Sequence, residues 1–249
     1  MRSAKFYSPA LPKKGGGLSE LGIAIGHFMS SNPHPALSLF CGKGRGSLRI
    51  LLPYPHMPLV TLDLLKEKLR DWKGCDLVKT ATQPVLGEGN PQAEIMFIGE
   101  APGQREDEQG RPFVGPAGQF LDELLGTIGL KRADVYISNV VKYRPPENRD
   151  PTPQEKEQCM PWLMLEIALI KPKIIVPLGR HALGHFFTKL SITNAHGKPQ
   201  TLRQAQGDIP AVTVFPIYHP AAALHNGGLR QSLYDDFTAL GEFLKTKKN

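Results

Sequence analysis

The chain has 249 residues, 41% of them apolar, and a formal net charge of +7. That is enough for one sizeable domain or a domain with an appendage, and the basic balance suggests a polyanionic partner. No apolar run approaches the roughly 18 residues of a membrane span, and three cysteines (Cys41, Cys75, Cys159) are too sparse for a secreted disulfide scaffold, so the expectation is a cytoplasmic monomer with no membrane contact.

The charge is uneven along the chain. Residues 1–56 carry seven Lys/Arg against one acid, Glu20, a balance of +6, which leaves residues 57–249 with 23 basic and 22 acidic groups, or +1. Any nucleic-acid site in the folded part is therefore a local patch. Residues 1–56 are rich in Gly, Pro, Ser and His without a sustained period, and "PKKGGGLSE" and "CGKGRGS" read as linker. They are expected to be an unstructured basic extension; their acid-poor makeup also resembles a transit peptide. The domain is expected over 57–249, with Met57 as an alternative start.

Beyond the extension, Leu59, Leu62, Leu65, Leu69 and Trp72 recur at helical spacing. Four short apolar runs then read as buried strands: "EIMFIG" (94–99), "VYISNVV" (135–141), "KIIVPLG" (173–179) and "VTVFPIY" (212–218). Helical patterns lie between and after them, over 117–128, 153–170, 180–187 and 229–245. Thr152 with Glu155 forms a capping-box signature, and Pro153 takes the first helical position. Strands alternating with helices predict an α/β fold, a parallel sheet covered on both faces. Ligands of such sheets sit at the carboxyl ends of the strands, where this chain collects its unusual residues.

The first such loop is "IGEAPGQREDEQGRPFVGPAG", Ile98 to Gly118. It lacks the Gly-Lys-Ser/Thr ending of a phosphate-binding P-loop and is not G-x-G-x-x-G. Its glycines let the backbone approach a ligand, and Phe113 is either a stacking platform or plain core. In the second loop Asn139 ends a strand, with Lys142, Arg144 and Arg149 nearby. Its amide offers an acceptor and donors that suit a nucleobase edge; an ordinary turn residue is the alternative. In the third, His219 follows a strand and is either a donor to developing negative charge or structural. His181 and His185 stand at i, i+4 on a predicted helix but have no third ligand nearby in sequence, and they read as structural. Together the loops describe a small planar hydrogen-bonding ligand with phosphates around it, without naming a reaction.

At these residues the chain resembles family 4 of the uracil-DNA glycosylases. The matching pieces are "GEGNPQAEIMFIGEAPGQREDEQGRPFVGPAG", "DVYISNVVKYRPPENRDPTPQE", "KIIVPLGRHAL" and "VFPIYHPAAALHNGG", in the family's order, over about 70–240. The resemblance implies a three-layer α/β/α sandwich with a central four-stranded parallel sheet. It implies a monofunctional glycosylase that flips deoxyuridine out of DNA, releases uracil and leaves an abasic site. Phe113 would stack on uracil, Asn139 would read O4 and N3, and His219 would point at O2. Ala101 stands where other branches carry Asp or Asn. Glu100 then becomes the candidate for positioning water or stabilising the cationic sugar, with a structural carboxylate as the alternative. Glu106 would exclude thymine or act electrostatically, and Asn148 is a further family-linked position. Leu224 would wedge into the duplex, Gly227 and Gly228 would admit a phosphate, and Lys142, Arg144, Arg149 and Arg230 are phosphate candidates. The alternative function is a catalytically weak DNA- or abasic-site-binding module with the same fold.

The chain departs from the family at the [4Fe–4S] cluster, which four Cys usually hold. Cys75 and Cys159 match two of those positions, while Trp72 and Tyr143 stand at the other two. Two thiolates do not hold a four-iron cube in the usual way. The expectation is no cofactor, with Trp72 and Tyr143 filling the space as a small aromatic core.

Overall fold

The computed structural model describes residues 60–202 and 212–248. The extension 1–56, Cys41 and Met57 lie outside them. Helix α1 (Leu62–Asp71) begins where the Thr61 hydroxyl accepts the Leu64 N–H. A two-residue strand β1 (Glu88–Gly89) and the first long strand β2 (Ile95–Gly99) follow. Next come a short helix α2 (Gln104–Gln109), α3 (Pro116–Thr127) and strand β3 (Tyr136–Asn139). Helix α4 (Pro153–Ile170) starts at the expected capping box: the Thr152 hydroxyl accepts the Glu155 N–H, and the Glu155 carboxylate accepts the Thr152 N–H. The chain continues through β4 (Ile174–Pro177), α5 (Gly179–Phe186), α6 (Ile192–Ala195), β5 (Gln200–Leu202) and β6 (Val212–Val214). Helices α7 (Pro220–His225) and α8 (Gly228–Lys248) close it. None of the described helices is long and apolar enough to cross a membrane.

The sheet is mixed and six-stranded, in the order β1-β3-β2-β4-β6-β5. The four expected strands are its parallel interior, and the short β1 and β5 pair antiparallel at its two edges. The four-stranded sheet expected from sequence is thus extended by two strands too short to show a period.

Along β2 the side chains alternate between two cores. Met96 and Ile98 join Leu69, Trp162 and Leu163 on one face; Ile95 and Phe97 join Leu121, Leu124, Leu233 and Phe237 on the other. Period-2 alternation in a strand buried on both sides produces this, and it makes the fold a three-layer sandwich. The first face is covered by α1 and α4, the second by α3 and α8.

One polar cluster interrupts the first core. Lys142 and Glu166 have fully buried side chains and form an ion pair. The ammonium also donates to Ser138 Oγ (2.8 Å) and to the Asn139 carbonyl (2.7 Å). Glu166 accepts from the Gly87 N–H (2.6 Å), Ser138 Oγ (2.8 Å) and the Tyr136 hydroxyl (3.2 Å). A buried charge left without its partner is strongly unfavourable, whereas an apolar pair of similar volume is often tolerated. Glu166→Leu alone is therefore expected to cost about 3–5 kcal/mol in urea unfolding, and Glu166→Leu with Lys142→Met to recover most of it. Equal loss in the single and double variants would show that the pair is not what the cluster contributes.

Candidate active site

The ends of the parallel strands bring Gly99, Asn139, Phe113, Gly179 and His219 together. Gly99 ends β2 and pairs with Asn139 at the end of β3. A Cβ on Gly99 would collide with Asn139 Oδ1 and lie 2.7 Å from the Phe113 ring, so only glycine leaves room between amide and ring. Asn139 is 2% exposed, and its Oδ1 is buried without a hydrogen-bond partner among the described residues. Such an orphaned acceptor costs about 1–3 kcal/mol unless a ligand satisfies it.

Phe113 is buried and sits at φ 53°, a left-handed conformation uncommon for a bulky residue. Strain of this kind persists only where the surroundings over-determine it, and both sides of Phe113 are held. Upstream and at the residue itself, the Arg132 guanidinium donates to the carbonyls of Pro112 and Phe113. Downstream, Glu106 Oε1 accepts the Val114 (2.9 Å) and Gly115 (2.7 Å) N–H groups, while Oε2 accepts that of Gly103 (3.1 Å). A Cβ on Gly118 would overlap the Phe113 carbonyl. Glu106, expected to exclude thymine or act electrostatically, has its carboxylate engaged by its own loop. Arg132 carried no sequence signal, being one basic residue among several on the surface.

His219 lies against Phe113, ring centroids 5.6 Å apart and 27° from parallel. It follows β6 and caps α7, its Nδ1 accepting the Ala221 N–H at 3.1 Å. In the neutral ring the proton therefore sits on Nε2. Burial pushes the His219 pKa down to about 4, so the ring is neutral near pH 7. Gly179, at φ +83°, makes room for it; a Cβ there would sit 3.0 Å from that of His219.

Glu100, directly after Gly99, is half-buried, and burial raises its carboxyl to about 7 against the opposing pull of Lys156. Its Oε1 lies 3.3 Å from His181 Nδ1 and 3.6 Å from Lys156 Nζ. Ala101 is half-buried and packs on the first core.

The other expected positions separate. Lys142 is not a phosphate contact: it has no exposed surface and is committed to Glu166. Its place beside Arg144 read as a basic loop, but the chain after β3 turns this side chain inward. Arg144 donates to Asn148 Oδ1 at 2.8 Å, with Asn148 exposed at φ 54°. Arg149 grips Glu155 through two bonds (2.9 and 2.6 Å) and thereby supports the cap of α4. Arg230 pairs with Glu123 (3.2 Å) and lies 4.5 Å over the Phe120 ring. Leu224 is 45% exposed, Gly227 has open space around it, and the Gly228 N–H bonds Asn226 Oδ1.

Among the described residues, the donor set for an iron–sulfur cluster does not fit. Cys75 and Cys159 are buried with their sulfurs in contact at 3.8 Å. Tyr143 donates its hydroxyl to the carbonyls of Leu69 (2.9 Å) and Trp72 (3.1 Å), and the Trp72 ring lies 6.0 Å from that of Tyr143 and 5.5 Å from that of Trp162. Two thiols and a packed aromatic group occupy the place of four thiolates.

The profile of the uracil DNA glycosylase superfamily matches residues 86–240. The chain is 47% identical to a type-4 uracil-DNA glycosylase of Sulfurisphaera tokodaii over 194 residues, 76% of this chain and 87% of that one. Against the type-4 uracil-DNA glycosylase of Archaeoglobus fulgidus the figures are 43%, 76% and 96%. A type-5 uracil-DNA glycosylase of Thermus thermophilus is 38% identical over a shorter stretch, 41% of this chain and 52% of its own. With the profile spanning more than half of the chain and these relatives matched over most of their length, the chain belongs to the uracil-DNA glycosylase superfamily.

Proposed function

We infer that the chain removes uracil from DNA by hydrolysing the N-glycosidic bond, leaving an abasic site. The observation that carries this reading is the buried Asn139 amide, its Oδ1 without a partner among the described residues, set beside the Phe113 ring across Gly99. An extruded base entering here stacks on Phe113 while its N3–H donates to Asn139 Oδ1 and its O4 accepts from the amide nitrogen. Cytosine reverses both polarities on that edge and leaves buried groups unpaired.

Breaking N1–C1′ develops negative charge on the base and positive charge on the sugar. His219, neutral and with Nε2–H fixed by the Ala221 contact, donates to O2 and stabilises the leaving anion without transferring its proton. A fixed donor of this kind supports turnover over a binding module that has lost it. Glu100 accepts the proton of the attacking water or faces the cationic sugar. Ala101 and Asn148 border the base, and Glu106 acts on specificity only through the loop it fastens. Leu224, Gly227, Gly228, Arg144, Arg149 and Arg230 form the DNA-facing set; the three arginines exchange their present carboxylate or amide partners for phosphates. Lys142 has no part in it. The chain works as a cytoplasmic monomer without an iron–sulfur cluster, a reading supported by the two-thiol donor set.

Single-turnover excision from uracil-containing single- and double-stranded oligonucleotides tests the site. His219→Ala is expected to lower the rate about 10²–10³-fold, the usual loss for one donor to developing negative charge. Asn139→Ala is expected to lower uracil excision and narrow the preference for uracil over cytosine. Unchanged rates in both variants would refute the assignment. For the cofactor, purified protein is expected to contain less than one iron per chain; a content near ~4, as a four-iron cluster requires, would overturn that part.

A further inference from the structure

His181 is used by nothing above, yet the fold brings it from α5 to the Glu100 carboxylate. Its two ring nitrogens have matching surroundings. Nδ1 faces a carboxylate and an ammonium, Glu100 Oε1 at 3.3 Å and Lys156 Nζ at 3.2 Å. Nε2 faces a carboxylate and a guanidinium, Asp150 Oδ2 at 3.0 Å and Arg180 Nε at 2.9 Å. A neutral imidazole has one N–H and one lone pair; this ring accepts at Nδ1 from Lys156 or at Nε2 from Arg180, while Glu100 Oε1, 3.3 Å from Nδ1, makes no hydrogen bond among the described residues and is an open acceptor. With the proton on Nδ1, the ring accepts from Arg180, and turning Nδ1–H onto the open Glu100 oxygen completes the pairing. With the proton on Nε2, it faces Asp150 Oδ2 at 3.0 Å and accepts from Lys156. The ring thus joins an inner carboxylate, 19% exposed at its side chain, to an outer one, 62% exposed.

Glu100, Asp150 and His181 have ligand atoms within 4.8 Å of one another, a spacing that would also suit a divalent cation. Lys156 and Arg180 already meet those same groups, and their charges oppose a cation there.

We propose that His181 is a positioning residue for the hydrolytic step, a relay that passes the proton gathered at Glu100 to the solvent-facing Asp150, while Lys156 and Asp150 set how readily Glu100 holds it. The proposal rests on Glu100 taking the proton of the attacking water. As the water oxygen bonds to C1′, the C1′–N1 bond breaks and its electron pair leaves with uracil. The water proton goes to Glu100 Oε1, then to Nδ1, while the Nε2 proton leaves to Asp150 and bulk water. The ring ends neutral, in its other tautomer.

The electrostatics agree with the geometry. Burial raises the Glu100 carboxyl to about 7; Lys156 and Arg180 oppose the rise and Asp150 adds to it. Burial, aided by Lys156, holds His181 below its ordinary value, so its ring is neutral near pH 7 and able to accept. The remaining groups facing the cluster are His185 and His219, each held to about 4 by burial and therefore uncharged there.

The test is single-turnover excision from a uracil oligonucleotide across pH 5–9, with and without a chelator. Wild type is expected to lose rate as pH falls through about 7, because the carboxylate becomes protonated; Glu100→Gln is expected to abolish that limb. Lys156→Met removes a cation that favours the charged form and moves the limb up. Asp150→Asn removes an anion that disfavours it and moves the limb down. A displacement of one unit is about tenfold in rate below the midpoint. His181→Ala releases Lys156 to Glu100, which moves the limb down and lowers the plateau, while His181→Asn, with an oxygen near the Nδ1 position, restores part of both. Superposed limbs, a uniform loss at every pH, or activity abolished by the chelator each overturn the relay. If wild type itself releases no uracil, the functional reading falls and the relay with it; active wild type with unmoved limbs overturns the relay alone.

Discussion

Glu166 gathers four donors from three parts of the chain, and through Lys142 it underlies the Asn139 end of β3. Its carboxylate receives the Gly87 N–H, the hydroxyls of Tyr136 and Ser138, and the Lys142 ammonium. Burial in the same cluster pushes the Tyr136 phenol well above its usual range, with the Glu166 charge adding to it, so the phenol stays a donor. Lys142 in turn holds the carbonyl of Asn139. The residue that would read the base is thus fixed from behind by an ion pair with no solvent contact. Water does not compete for these bonds, and in the low local dielectric they are stiff. Desolvating the two charges is unfavourable, and the gain is a defined position at the end of β3.

The Phe113 loop shows the same division of labour across Gly99 from Asn139. Glu106 holds three N–H groups and Arg132 holds two carbonyls, so a six-residue helix and a loop of glycines and prolines carry a ring at an unfavourable φ. Neither charged group needs to touch a ligand. Their work is to make a loop behave as rigidly as the sheet it leaves, so that the ring is held in place before any ligand arrives.

What could be read from the sequence followed from burial on both faces. The runs at 94–99, 135–141, 173–179 and 212–218 are mostly apolar because β2, β3, β4 and β6 have a core on each side, and Thr152, Pro153 and Glu155 announced α4 through local chemistry alone. The edge strands β1 and β5, of two and three residues, have no room for a pattern. Helix α2 is entirely polar, and Glu106 within it read as a ligand contact because its targets, eight and nine positions on, are backbone groups that leave no mark in sequence. Lys142 and Glu166 are 24 positions apart and His181 and Glu100 are 81 apart. Pairings of that kind are made by topology, and a lysine in a basic loop looks the same whether it faces water or the core.

Helix α7 has one more property. His219 stands at its first end, with its ring held by the helix's own Ala221 N–H, and the exposed Leu224 stands near the other, about 7.5 Å along an axis that rises ~1.5 Å per residue. A load on Leu224 is carried by the same single turn and a half of helix that orients the imidazole. Surface engagement and ring alignment therefore share one short lever, and the distance between them is fixed by peptide geometry rather than by any long chain of contacts.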